Sequence, residues 1–377
     1  MKIAFVLSGL TAGGAEKIVN LLAHHRSDQG DTVSILAVNA ADTQSYYPYA
    51  PHIGIETLGA RRASSLSTAS LRLLQLRRKL RALEPDLVVA FLTKVNALVG
   101  LATLGLKTPI VMSERNNFLL QRKNPLWRLI SPIAARKAVC LVMQTEDARA
   151  ALPAALRSRA MVIPNPVTLP NGIVPIPDEK MRIIAAGRLD KQKGFDLLLQ
   201  AFRSVADDLA TVTLTIFGEG PERQALERQA RDLGLTERVS MPGVTTSPAE
   251  WISKGDVFVL SSRFEGFPNV LLEALAAGIP TVAFDCPWGP SDILKNEVGL
   301  LIPPGDVVQL GNAMRRLVAD AALRCKLAEA GPAVSARYSK ASVLAQWDEV
   351  IFRATRFRSV IPLAPGGHTA GQCRTCS

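Results

Sequence analysis

One stretch, residues 256 to 278, constrains the fold more than any other. It opens on the apolar, β-branched run Val257-Phe-Val-Leu-Ser-Ser262, the pattern of a strand buried on both faces in a parallel sheet. A polar turn follows, and Asn269-Val-Leu-Leu-Glu-Ala-Leu-Ala276 reads as a helix stopped by Gly278 and Pro280. The backbone N–H groups of Phe267 to Leu271 are thus expected to point out of the helix N-terminus, where the helix dipole favours phosphate. Gly266 lets the backbone approach a ligand, with Phe267, Pro268 and Val270 beside it. Glu265 lies just before the helix and Glu273 one turn inside it. A carboxylate repels phosphate but accepts strongly from hydroxyls, so a diphosphate flanked by two sugars suits the whole segment. Two solvated glutamates on an ordinary strand–helix connection are the alternative.

The same alternation recurs along the chain. Residues 2 to 8, 32 to 38, 87 to 92, 110 to 113, 139 to 143 and 161 to 167 read as strands of one parallel sheet, and residues 181 to 187, 214 to 217, 238 to 244, 256 to 262, 281 to 285 and 299 to 302 as strands of another. At 377 residues the chain is long for a single core. Prolines at 164, 166, 170, 175 and 177 mark the joint between the halves. An α/β fold of two Rossmann-like domains is expected: 1–169, then 170–355 with a last helix free to pack back on the first domain, then a disordered tail, 356–377.

Further motifs sit at strand ends, where open α/β sheets bind ligands. Thr11-Ala-Gly-Gly-Ala-Glu16 joins the first strand to a helix that turns Ile18, Leu21, Leu22 and His25 inward, and it lacks the dinucleotide G-x-G-x-x-G spacing. A plain tight turn is the other account of Gly13 and Gly14. Gly187-Arg-Leu-Asp-Lys-Gln-Lys-Gly194 brings Arg188 and Lys193 off a strand, a fork and a point charge suited to phosphate oxygens, though surface cations without a ligand fit too. Gly218 and Val244 end the next two strands, and Glu114 and Arg115 end the Ile110 strand.

Glu265-Gly-Phe-Pro-Asn-Val-Leu-Leu-Glu273 resembles the paired-glutamate signature of retaining, family-4 glycosyltransferases with the GT-B fold. The Gly13-Gly14-Ala-Glu16 loop, the Gly187-to-Gly194 segment and the Ile163-Pro-Asn-Pro-Val167 crossover resemble further family motifs, so that the likeness runs over most of residues 1 to 355. It implies that Glu265 contacts the donor sugar and Glu273 the ribose, and that Arg188 and Lys193 hold the diphosphate. By the same likeness Gly13, Gly14, Gly187, Gly218, Gly266 and residues 267 to 270 line the donor, and the strand ending at Val244 borders the nucleobase. Glu265, Arg188 and Lys193 are then the catalytic set. Many family members carry a histidine where Arg115 stands, and the four histidines here, 24, 25, 52 and 368, do not replace it. Glu114 and Arg115 are expected to face the acceptor or its phosphate.

Charge points the same way. Residues 1–168 hold 21 Lys and Arg against 10 Asp and Glu, so the net +11 of the chain belongs to its first half. Leu66 to Leu83 has helical apolar spacing with Arg72, Arg77, Arg78, Lys79 and Arg81 between, preceded by Arg61 and Arg62; Arg122, Lys123, Arg128, Arg136 and Lys137, with Trp127 and Leu129, form a second basic segment. A solvated helix face and docking on anionic lipid both fit these residues. Nucleic acid is not expected, because no recognition signature accompanies them. No run reaches the 18 to 20 apolar residues of a membrane span, and residues 1 to 10 read as a strand, not a signal peptide. Five scattered cysteines suit a reducing compartment, and Cys373 with Cys376 and His368 lack a fourth zinc ligand.

The expectation is therefore a metal-independent, retaining hexosyltransferase without a cofactor. It takes a nucleotide diphosphate sugar, with UDP-sugar favoured, and a lipid-linked glycan in surface polysaccharide assembly, in the cytoplasm or peripherally at the cytoplasmic face of the inner membrane. A nucleotide-sugar or nucleic-acid binding protein and a nucleotide-sugar epimerase on the same fold are the alternatives.

Overall fold

The computed structural model describes residues 1–11, 13–59, 66–121, 132–169, 180–209, 211–295 and 298–359. Arg61, Arg62, the segment 122 to 129, the prolines at 170, 175 and 177, and the tail from residue 360 with His368, Cys373 and Cys376 lie outside them.

The first sheet contains β1 (Lys2–Leu7), β2 (Thr32–Ala37), β3 (Gly54–Thr57), β4 (Leu87–Phe91), β5 (Ile110–Ser113), β6 (Cys140–Met143) and β7 (Ala160–Val162), in the order β3-β2-β1-β4-β5-β6-β7, all parallel. β8 (Arg182–Ala186), β9 (Thr213–Phe217), β10 (Val239–Gly243), β11 (Val257–Leu260), β12 (Thr281–Phe284) and β13 (Leu300–Ile302) make a second parallel sheet, ordered β10-β9-β8-β11-β12-β13. The central strands are buried from end to end, as continuous apolar runs require once helices cover both faces. In each sheet the strand order reverses once, between β1 and β4 and between β8 and β11. A crevice opens at the carboxyl ends of such a pair, because the following helices depart to opposite faces.

The last described helix, Lys340–Ser359, returns to the first sheet. Its Trp347 is wholly buried with Val343 and Val350 among Phe5, Leu7 and Phe91, the Trp347 and Phe91 rings 5.7 Å apart. Asp348 of that helix accepts from Arg26 Nη1 at 2.8 Å and pairs with His25 Nε2 at 2.8 Å, so His25 is turned to the last helix at the edge of the core. The two units also meet outside that helix. Trp288, just after β12, packs among the apolar residues of the first unit, its ring 5.2 Å from that of Phe118.

Of the basic helix Leu66–Leu83, Arg77 donates to the carbonyls of Ala102 (2.7 Å) and Leu104 (2.6 Å), and Lys79 pairs with Glu56 of β3. Two of the expected lipid-facing cations thus hold neighbouring elements. Arg78 and Arg81 remain exposed on one face with Leu71 and Leu74, at spacings of three and four.

Candidate functional site

The site is assembled from strand ends at the two reversals. β8 and β11 are neighbours, so the loops leaving their carboxyl ends must meet. Lys193 from the first loop donates through Nζ to Glu265 Oε1 of the second at 2.7 Å, and Ser262 Oγ donates to the same oxygen at 2.6 Å. The loops are tied again where Ser261 Oγ donates to the Lys193 carbonyl at 2.9 Å. The lysine stem lies along Gly187, where a Cβ would come within 3.2 Å of it. Gly218 packs its Cα on the carbonyl of Gly187, which leaves no room for a Cβ. Glu265 is 4% exposed. Among the described residues its second oxygen, Oε2, accepts no hydrogen bond, so one carboxylate oxygen is fixed and one is left for a ligand.

Arg188 leaves the same strand but turns elsewhere. It pairs with Asp190 at 2.5 Å and its side chain is 70% exposed. Val244 is exposed at the end of β10.

The helix after Glu265 spans Asn269–Ala276, as the spacing predicts, but its first turn offers fewer free donors than expected. The Asn269 N–H bonds to the Phe267 carbonyl at 3.0 Å and the Leu271 N–H to the Pro268 carbonyl at 3.1 Å. Proline at the N-cap position supplies no side-chain cap, and the chain tightens on itself instead. Pro268 has no N–H, so the expectation is of four outward amides, and it is corrected to a narrower set that excludes these two.

Glu273 faces the first unit across a cavity of about 280 Å³, which it lines with Gly14, Lys17, Tyr47, Asn165 and Asn269. Desolvation raises its carboxyl to about 7, against the opposing pull of Lys17. Gly13 precedes the helix Gly14–Asp28, and the Glu16 carboxylate folds back over it, occupying the space of any Cβ. Gly14 lies against the Asn269 side chain. The glycine loop and the Asn269 helix thus face each other, one from each sheet.

Glu114 and Arg115 at the end of β5 part company. Glu114 lines a small cavity of about 60 Å³ with Thr93 and Asn96. Its carboxyl accepts from Thr93 Oγ1 at 2.7 Å and from the Arg115 N–H at 3.1 Å, yet desolvation outweighs these bonds and lifts it to about 7. Arg115 does not meet the expectation of an acceptor-facing group. Its guanidinium is buried over the rings of Phe91 (5.7 Å) and Trp347 (5.4 Å), and donates to Ser113 Oγ and to Asn165 Oδ1, each at 2.8 Å. With no ion pair among the described residues, the guanidinium settles where rings and oxygens replace water, and β4, the last described helix, β5 and the crossover supply them.

Lys17, Tyr47, Asn165 and Ser262 join the site without having been singled out as ligand groups. Lys17 directly follows the glycine motif, the one local signal for it. The others arrive through strand order and the crossover, which spacing does not reveal.

Gly266 marks where the units touch. A Cβ there would lie 2.6 Å from the Arg115 carbonyl oxygen and 3.0 Å from Asn116 Cα, both backbone atoms that cannot rotate away. Gly266→Ala is expected to wedge the interface and cut turnover about tenfold or more, while the melting temperature changes little, because both cores are untouched. Parallel kinetics and thermal melts check this, and unchanged turnover would show that the contact is dispensable.

Comparison with known proteins adds the family context. Residues 12–169 match the family model for Glycosyltransferase Family 4, and residues 180–320 that for Glycosyl transferases group 1. An exopolysaccharide phosphotransferase of Streptomyces coelicolor is 29% identical over 93% of this chain, which spans only 40% of that protein's length. A Campylobacter jejuni α-1,4-N-acetyl-D-galactosaminyltransferase acting on an undecaprenol-linked glycan is 26% identical over 86% of this chain and 94% of its own. The crystal structure of Anabaena Alr3699/HepE in complex with UDP-glucose superposes with a TM-score of 0.76 at 20% identity, covering 94% of this chain and all of that one. That likeness identifies the arrangement of the two sheets as the GT-B fold.

Proposed function

Because the chain belongs to the group 1, family 4 glycosyltransferases, we propose that it transfers a hexose-type sugar from a nucleotide diphosphate sugar, UDP-sugar above others, to a hydroxyl of a lipid-linked glycan, with retention. The observation that carries this is the grouping of Lys193, Glu265 and Ser262 at the β8–β11 reversal, followed by a helix that sets a desolvated Glu273 on the cavity wall about one turn in. The free oxygen of Glu265 suits sugar hydroxyls, and Glu273 suits the ribose, since each carboxylate accepts from O–H groups. Lys193 is placed to meet the charge that builds on the β-phosphate as the glycosidic bond breaks, and exposed Arg188 can swing to it. The departing phosphate oxygen then takes the acceptor proton. Metal-independence is part of the proposal, the chain's own cations answering the diphosphate.

The lipid-linked acceptor and surface-polysaccharide setting rest on the Campylobacter and Streptomyces relatives. Peripheral docking at the cytoplasmic membrane face is supported by the exposed Leu71, Leu74, Arg78 and Arg81 face; no described helix is long and apolar enough to cross a membrane.

A nucleotide-sugar panel tests the proposal. One UDP-sugar is expected to raise the melting temperature and to be consumed with an α-linked product, with turnover persisting in excess chelator. Stabilisation without turnover on any glycan or polyprenyl-linked acceptor would favour a binding protein instead.

A further inference from the structure

The donor pocket's Asn269 side chain is held from a distance, through hydrogen bonds that run in one direction. Arg115 Nη1 donates to Asn165 Oδ1 at 2.8 Å, and Asn165 Nδ2 donates to Asn269 Oδ1 at 2.8 Å. The three residues come from three places: the end of β5, the crossover between the sheets, and the first residue of the helix after Glu265. Arg115 is 7% and Asn165 8% exposed, so water does not compete for the first link. A guanidinium has donors and no acceptor, so the oxygen of Asn165 must turn to it, and the amide nitrogen of Asn165 must turn the other way. That nitrogen needs an acceptor, which fixes Asn269 with its oxygen inward. Asn269 Nδ2 is then presented outward, against Gly14 of the glycine loop, and among the described residues it donates to nothing. Asn269 lines the same cavity as Glu273, Lys17 and Gly14.

We propose that Arg115 and Asn165 are positioning residues: their relay sets the polarity of the Asn269 amide so that an N–H, not a carbonyl oxygen, meets the donor's diphosphate. This deepens the function proposed above and rests on it. An amide that can rotate offers an anion either a donor or a lone pair with nearly equal ease in the free protein. Fixing the donor in advance removes the cost of reorienting it at each turnover, which is how preorganised dipoles stabilise developing charge. The relay also gives a role to a buried guanidinium that forms no ion pair among the described residues. The inward-turned Asn269 and Leu271 N–H groups increase the need for a side-chain donor at this turn.

Asn165→Asp isolates the idea. An aspartate keeps, and strengthens, the bond from Arg115, but has no N–H to give to Asn269. Asn269 must then reverse, donating to the new carboxylate and showing its oxygen to the pocket. The measurement is calorimetric binding of UDP and of uridine, with GDP and guanosine in parallel, to the wild type, Asn165→Asp, Asn269→Ala and the double variant. Asn165→Asp is expected to melt at or above the wild-type temperature, to bind UDP about tenfold or more weakly, and to bind uridine within about twofold of the wild type. In the Asn269→Ala background the same change is expected to cost no more than about twofold.

Undiminished UDP affinity in Asn165→Asp overturns the relay. So does an equal loss in the Asn269→Ala background, which would assign the effect to the new negative charge alone. If Asn165→Asp does not fold, Arg115→Lys and Arg115→Gln decide the question: the lysine, a donor-only group, is expected to keep UDP affinity within about threefold while the glutamine loses it, and equal losses overturn the proposal. Absence of any nucleotide binding by the wild type would instead sink the donor site itself, and the relay with it.

Discussion

Glu265→Gln is expected to lower sugar transfer by about a hundredfold or more while leaving nucleotide diphosphate binding unchanged or tighter. The opposite signs follow from the pair that Glu265 makes. In the free protein its Oε1 takes the Lys193 ammonium and the Ser262 hydroxyl, with little water around either. Removing the charge releases Lys193 to bind a diphosphate without first giving up its carboxylate, so UDP gains. The sugar loses, because an amide accepts more weakly than a carboxylate from the hydroxyls that Oε2 is placed to meet. Lys193→Ala should do the reverse in binding, weakening UDP by about tenfold or more, and should leave Glu265 without its counter-charge. Steady-state kinetics with titrations of UDP separate the two variants. A Glu265→Gln protein that loses UDP affinity and turnover in equal measure would show that the residue supports the loop and does not act on the sugar.

How far this was visible beforehand depends on the kind of information each feature needs. β4, β8 and β11 announce themselves, since a strand covered on both faces is apolar throughout. β3 does not: Gly-Ile-Glu-Thr is short, partly exposed and at the edge, and it is not among the expected strands. Glu265, Glu273 and Lys193 stand out locally because each follows a strand at a fixed distance. That Lys193 spends its charge on Glu265 is not local at all; it follows from β8 lying beside β11, which brings together two residues 72 apart along the chain. Arg115 shows the limit most plainly. Its position after β5 suggested an acceptor group, but only packing reveals the Phe91 and Trp347 rings and the Asn165 oxygen that hold it inside. Trp347 itself comes from the last helix, more than 230 residues later, an encounter no pattern within β5 encodes.

Glu273→Gln should make the free protein more stable at pH 8 and a poorer binder of the nucleoside. Burial holds the Glu273 carboxyl at about 7 in the folded state, against an ordinary 4.5. The folded state therefore prefers the protonated form. The stability this confers is fully present below about pH 4.5 and is lost as pH rises to about 7, above which the fold carries the whole cost of an ionised, desolvated group. Glutamine avoids that cost, and a gain of about 1–3 kcal/mol at pH 8 is expected, vanishing near pH 4.5. Glu114, raised to a similar value, adds its own loss over the same interval in both proteins and so cancels from the comparison. Binding runs the other way. Ribose hydroxyls donate best to the ionised carboxylate, so wild-type affinity for uridine should climb between pH 6 and 8, whereas the glutamine variant should show a flat and about tenfold weaker profile. Uridine is the right probe because UDP carries a phosphate that itself titrates near pH 6. Thermal melts across pH, with uridine titrations at the same points, read both halves. A variant less stable than the wild type at pH 8 would mean that the carboxylate is satisfied by the fold itself, and the ribose would then need another partner.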